Sequence, residues 1–256
     1  MNRHAALLAL AVLLLAPAAR TQTAQEVLAA ADAVRNPDRP FRFTDVLTEF
    51  RNGKPADSVV LRIDARAASV GGQYNSLVQF VEPARDRGKV MLRNGNVLWF
   101  HDPSSKASVR ISPQQRLLGQ ASNGDVMAVN LARDYKAVLA RAETIQDGDR
   151  QPRECHRLDL AASGEGVTYH RIEYWVEKGS HRPVKGKFYS ESGRLLKTAY
   201  YRKYETHLGR ERPTETIIID GVDTTLVTRM QLSAFAYSDL PDSAFQRDAL
   251  PRFQPE

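Results

Sequence analysis

A mainly β fold built on a large antiparallel sheet is predicted by three features of this sequence. Apolar and polar residues alternate with period two along one segment after another, Gly-, Asn- and Asp-containing turns separate those segments at short intervals, and only two stretches carry helical spacing. A twisted sheet of that size closes into a barrel or curls around whatever covers its inner face.

The first helical stretch, Ala24–Val34, places Val27, Leu28, Ala31 and Val34 on one side, and Asn36-Pro37 stops it. From Phe41 the period becomes two. Phe41, Phe43, Asp45, Leu47 and Glu49 alternate with Arg42, Thr44, Val46, Thr48 and Phe50. The turn Asn52-Gly53-Lys54-Pro55 then returns the chain through Val59–Ala65 as a hairpin. Further strands are expected at Tyr74–Val81, Gly88–Arg93, Val97–His101 and Ala107–Ile111. The middle breaks the pattern: Ser112–Asp134 contains a proline and the step Leu117-Leu118-Gly119, followed by a short expected helix at Asp125–Leu131. Strands resume at Tyr135–Ile145, Glu154–Leu160, Tyr169–Glu177, Arg182–Tyr189, Leu195–Glu205, Thr214–Ile219 and Thr224–Phe235.

Ahead of all this, the basic Met1-Asn2-Arg3-His4 runs into the apolar stretch Ala5–Leu15 and then the small residues Ala16-Pro17-Ala18-Ala19, the pattern of a secretory signal peptide over residues 1–19. The apolar run is too short to span a bilayer. Residues 20–256 are then expected to form a single domain, exported to the periplasm without a lipid anchor, since no cysteine stands near the cleavage region. The one cysteine, Cys155, excludes an intramolecular disulfide and has no thiolate-stabilising motif around it. The net charge of +6 comes from dispersed Lys and Arg. An exported protein with that pattern is not expected to bind nucleic acid.

Catalytic signatures are absent: no nucleophile elbow, His-Glu-x-x-His, P-loop, dinucleotide fingerprint or Cys-x-x-Cys occurs. His101-Asp102 reads as an exposed turn. His156, His170 and His181 have no zinc-ligand spacing, and Glu173 and Glu177 share a strand face with Arg171 and Trp175 as an ordinary charged outer surface. The expectation is therefore a protein that is not an enzyme, with no cofactor and no metal. What stands out is apolar material at alternating positions: Phe41, Phe43, Leu61, Ile63, Val78, Phe80, Met91, Trp99, Trp175, Leu226 and Met230. Periodicity alone leaves two interiors open, one packed solid by side chains and one holding a cavity.

The order of features resembles the LolA/LolB-like outer-membrane lipoprotein-sorting superfamily, in particular its longer LolA-like periplasmic members. The carrying segments are Lys89–Arg93, Asn96–Pro103, Val109–Ser112 and Leu118-Gly119, then Arg182–Tyr189 and Gly193–Lys197 as the late hairpin, covering nearly all of the chain after the signal. The sequence departs from that pattern at Asn123–Leu131, where relatives commonly carry acidic residues and an aromatic. The resemblance implies an incomplete, half-open β-barrel of about 11 strands with short helices over the open face. It also implies a carrier that binds lipid or lipoprotein acyl chains in a hydrophobic cavity for transfer to the outer membrane, with an inner-membrane transporter or an outer-membrane acceptor as partner. The expected ligand-binding residues are Phe43, Leu61, Ile63, Val78, Phe80, Met91, Trp99, Leu117, Leu118, Met127, Leu131, Trp175 and Met230, with Leu117–Leu131 and the N-terminal helix as lid. The alternative is a non-catalytic accessory module of an envelope complex, binding a protein through a sheet edge or an apolar patch.

Overall fold

The computed structural model describes residues 22–69 and 72–253. The expected signal peptide, residues 1–19, lies outside the described residues.

Helix α1 (Ala24–Arg35) opens with a reciprocal cap: the Glu26 amide donates to the Thr23 hydroxyl while the Glu26 carboxylate accepts from the Thr23 amide. It buries Val27, Leu28 and Ala31 and ends at Asn36, ahead of Pro37. The chain then runs as a meander through β1 (Phe41–Arg51), β2 (Lys54–Ala67), β3 (Tyr74–Glu82), β4 (Val90–Asn94), β5 (Val97–Asp102) and β6 (Ala107–Ile111). A second meander comprises β9 (Tyr135–Gln146), β10 (Pro152–Ala162), β11 (Arg171–Glu177), β12 (Pro183–Tyr189), β13 (Leu195–His207), β14 (Arg210–Asp220) and β15 (Leu226–Tyr237). Between them lie a two-stranded ribbon, β7 (Arg116–Leu118) with β8 (Ala121–Ser122), and the single turn α2 (Leu131–Asp134).

Within each meander, sequence neighbours pair antiparallel, and β1 pairs with β15, so the two runs join into one 13-stranded sheet in the order β6-β5-β4-β3-β2-β1-β15-β14-β13-β12-β11-β10-β9. Each segment read from alternation is one of its strands. The figure of about 11 strands is corrected to 13 in this sheet plus two in the ribbon. The sheet does not close, because β6 and β9 remain as edges, and the connection from one edge to the other is residues 112–134.

The expected helix at Asp125–Leu131 is also corrected. Residues 123–126 form a turn, 127 is a bend and 128–130 have no regular structure, with helix only at Leu131–Asp134. The reason lies in burial: Val126, Met127, Ala128 and Val129 are all buried in succession. A helix presents consecutive side chains to different directions, so it could not bury all four against one wall.

The inner face carries Phe41, Phe43, Leu47, Leu61, Ile63, Val78, Phe80 and Met91, packed with α1 and residues 121–131 into one cluster. The outer face has its own cover. Two 3-10 turns, Asp242–Phe245 and Arg247–Arg252, lay Phe245 and Leu250 over Leu77, Val90 and Leu92. His101, expected in an exposed turn, is instead buried on β5 and hydrogen-bonded through Nδ1 to Ser108 Oγ at 2.9 Å. Glu173 and Glu177 stand in outer-face ion pairs, Glu173 with Arg157 (3.2 Å) and Arg171 (3.0 Å), and Glu177 with Arg153 (3.3 Å).

Gly119, at the tip of the β7–β8 ribbon, has φ +53°, and a Cβ there would lie 2.3 Å from Thr228 Oγ1 and 3.1 Å from Glu49 Cγ. The ribbon is thus seated on β1 and β15 by a backbone approach that only glycine allows. Gly53 has φ +74° with nothing within 4 Å. Gly53→Ala should therefore cost about 1 kcal/mol, from backbone conformation alone, and Gly119→Ala about 2–3 kcal/mol. Urea denaturation of the two variants checks the difference; equal losses would mean that the ribbon is not pinned at this point.

Candidate functional site

Residues 124–131 cross the open mouth of the curled sheet as a plug, held to its surroundings mainly by side chains reaching from other elements. The Asn36 amide donates to the Val129 carbonyl at 2.9 Å, and Gln73 holds both backbone groups of Asn130, at 2.8 and 3.1 Å. The Asp32 carboxylate accepts from the Ala132 amide at 2.8 Å, and Gln25 donates to the carbonyls of Ala132 and Tyr135 at 2.7 and 3.0 Å. Helix α1 and the plug are thereby stitched into one lid. Burial pushes the Asp32 carboxyl up to about 7, against the opposing pull of Arg35.

At the plug's other end, the ammonium of Lys197 on β13 is buried and forms an ion pair with Asp125. It also donates to the Gln120 carbonyl at 2.9 Å and lies 4.9 Å from the centre of the Tyr169 ring. Desolvation lowers the Lys197 pKa while Asp125 acts to raise it. Asp125 is saturated in turn, accepting from the Tyr169 hydroxyl at 2.7 Å and the Ser122 amide at 2.6 Å. Removing one partner of such a pair leaves an uncompensated buried charge, a loss of about 3–5 kcal/mol. Gly124 permits the close seat of the plug here: a Cβ would lie 2.1 Å from Thr168 Oγ1.

Beneath the lid is a cavity of about 120 Å³. Its walls are Phe41 and Phe43 of β1, Ile172 of β11, Phe188 of β12, Ile218 of β14, and Met230, Leu232 and Phe235 of β15; the plug contributes Val126, Met127 and Leu131. Most of the lining comes from the second meander, with Phe41, Phe43 and Asp45 from the first, whereas Leu61, Ile63, Val78, Phe80 and Met91 are buried in the cluster and do not line the cavity.

Four of the expected ligand-binding residues, Phe43, Met127, Leu131 and Met230, come together around this cavity. Leu61, Ile63, Val78, Phe80 and Met91 share the inner face but do not line it, with Leu117 and Leu118 partly buried against the same cluster. Trp99 and Trp175 are on the outer face: Trp99 packs near Phe245 and Leu250, and Trp175 with Cys155 and Val184. Sequence reasoning did not single out the aromatic walls Tyr169, Phe188 and Phe235, although Phe188 and Phe235 sit on readable strands.

It also passed over Asp45, which lines the cavity from β1 and is fully buried. Neither of its carboxyl oxygens has a hydrogen bond of good geometry, and the backbone of Gln231 is the one group that favours its ionised form. Burial pushes its pKa up to about 8.

Among the described residues no group of His, Cys, Asp and Glu could hold a metal ion, and no helix is long and apolar enough to cross a membrane.

Residues 72–252 match a protein family whose description reads "Uncharacterized protein". No curated protein matches the chain. The fold is similar to that of a LolA superfamily protein from Nitrosomonas europaea, with 34% sequence identity, a TM-score of 0.80, and coverage of 89% of this chain and 99% of that one. It is also similar to a DUF1329 family protein from Desulfovibrio piger (21% identity, TM-score 0.75, 89% and 97% of the two chains). A putative outer membrane lipoprotein-sorting protein domain from Vibrio parahaemolyticus shares the fold as well (18% identity, TM-score 0.70, 90% and 98%).

Asp45 makes the cavity's energetics measurable. The folded protein keeps the Asp45 proton up to about pH 8, whereas an unperturbed aspartate releases it near 3.8. The folded state thus binds more protons across that window, and stability falls as pH rises through it. Asp45→Asn removes this term and should raise Tm at pH 8 by on the order of 5 °C, with little change at pH 4. Calorimetry at the two pH values checks it. An equal shift at both would mean that Asp45 does not carry the pH dependence.

Proposed function

The chain belongs to the LolA superfamily, and from that premise we propose that it is a periplasmic carrier that takes up lipid or lipoprotein acyl chains for transfer to the outer membrane. The observation that carries this reading is an apolar cavity covered by an irregular segment tethered through side chains, and not by a strand of the sheet. The reading includes export by the signal peptide at residues 1–19 and a single carrier domain after it. It also includes exchange of cargo with an inner-membrane transporter or an outer-membrane acceptor.

At about 120 Å³ the cavity is far smaller than the roughly 300–1,000 Å³ typical of small-molecule pockets. A cavity of that size holds only part of a long acyl chain, so in this scheme the plug leaves to admit the rest. The plug's own side chains, Val126, Met127, Val129 and Leu131, then act as stand-ins for cargo in the empty protein. Exchanging them for an acyl chain conserves apolar burial. Each buried methylene contributes about 0.8 kcal/mol, so a dozen suffice against the cost of association without any reacting group. Phe43 and Met230 on the sheet are the first contacts in this scheme, Met127 and Leu131 leave the cavity with the plug, and a Met side chain adapts to chains of varied shape. The remaining inner-face residues, Leu61, Ile63, Val78, Phe80 and Met91, form the rigid wall behind them.

Native mass spectrometry of the protein recovered from the periplasm tests the proposal. A stoichiometric adduct that disappears on denaturing extraction, with a lipid or acylated peptide recovered, is expected. A chain that carries nothing and takes up no added lipid or acylated peptide would overturn it.

A further inference from the structure

Beside the apolar cavity lies a second, polar hollow of about 280 Å³, and the two share Thr168, Tyr169 and Lys197 as their partition. The hollow is walled by Arg116 of β7, Arg194 in the β12–β13 turn, Gln120 and Asp220. Its charges are three cations, Arg116, Arg194 and Lys197, against Asp220, whose carboxylate already accepts the amides of Val222 (2.8 Å) and Asp223 (3.0 Å) in its own turn. Asp125 approaches from the plug and occupies Lys197. Arg116 donates to Gln120 Oε1 at 3.2 Å. Among the described residues, neither Arg116 nor Arg194 is in an ion pair.

This arrangement constrains the cargo. When the plug leaves with Asp125, Lys197 stays in the wall and loses its counter-charge. A neutral ligand would fill the cavity and leave a buried ammonium uncompensated. A ligand with its own anion would replace the carboxylate, and the neighbouring arginines would meet it with guanidinium forks suited to phosphate. The hollow is wide enough for a phosphate and the atoms attached to it, and it opens beside the apolar cavity, where a tail would lie.

We propose that the cargo is a phosphate-bearing amphiphile, its head held by Lys197, Arg116 and Arg194 in place of Asp125 and its tail in the apolar cavity. The inference rests on the carrier reading and adds the chemistry of the head.

Lys197→Gln would leave Asp125 buried without its counter-ion and endanger folding, so the test uses the two exposed arginines. Calorimetric titration of the exported chain with decyl phosphate and with decanol compares ligands with the same tail. Decyl phosphate is expected to bind at least about tenfold more tightly at low ionic strength. In the Arg116→Gln/Arg194→Gln variant that ratio should narrow to about threefold or less, and inorganic phosphate should not displace decyl phosphate. Equal affinities would overturn the head-group assignment while leaving an acyl carrier in place. Displacement by inorganic phosphate alone would make the hollow a free-anion site and overturn the amphiphile. Failure of both ligands to bind would overturn this inference together with the carrier reading.

Discussion

A sheet whose two edge strands do not meet leaves its inner face open along one side. Here β6 and β9 are those edges, and the chain between them has to cover what the sheet cannot. The β7–β8 ribbon, the plug and α2 all belong to that one connection. Their irregular backbone follows from the job: a helix would bury one stripe, whereas this segment buries Val126, Met127, Ala128 and Val129 in succession. Having given up internal hydrogen bonds, it takes them from Asn36, Gln73, Asp32 and Gln25.

The distribution of polarity follows from the same opening. The sheet is held by backbone ladders that no ligand needs to disturb, but the lid is held by discrete side-chain contacts and the buried Lys197–Asp125 pair. Such a pair contributes little net stability compared with an apolar replacement, yet it is costly to break halfway. It therefore acts less as glue than as a condition on what can displace the plug. Asp45 is another departure from an all-apolar interior, an acid whose pKa burial raises and whose oxygens have no hydrogen bond of good geometry. The cost of both lies in the part of the interior that is incompletely filled.

Much of this was legible in the sequence, and the exceptions have physical causes. The hairpin at Phe41–Ala65 could be read because one face is buried and the other more exposed, which is what period-two alternation reports, whereas β3 and β4 are buried on both faces and show as apolar runs. Trp99 and Trp175 were assigned to the wrong face because their neighbours are apolar too: Leu98 and Phe100 flank one, Tyr174 and Val176 the other. The helix expected at Asp125–Leu131 failed because the plug's burial comes from tertiary surroundings on several sides. Lys197 could be placed on β13, but its partner lies 72 positions earlier, a pairing that only the folded chain creates. The small cavity, as opposed to a filled barrel, depends on how closely Phe43, Phe188 and Met230 approach, and no periodicity encodes that.

The central claim is that the plug must leave for the cavity to be used, and hydrogen exchange at the tethered amides in it and at its two ends reads this directly. The amides of Ser122, Asn130 and Ala132 are held by the side chains of Asp125, Gln73 and Asp32. Saturation with a single-chain phospholipid should speed their exchange while the amides of β1 and β2 stay protected. Continued or increased protection of those three amides with lipid bound would contradict the account and place the ligand elsewhere on the molecule.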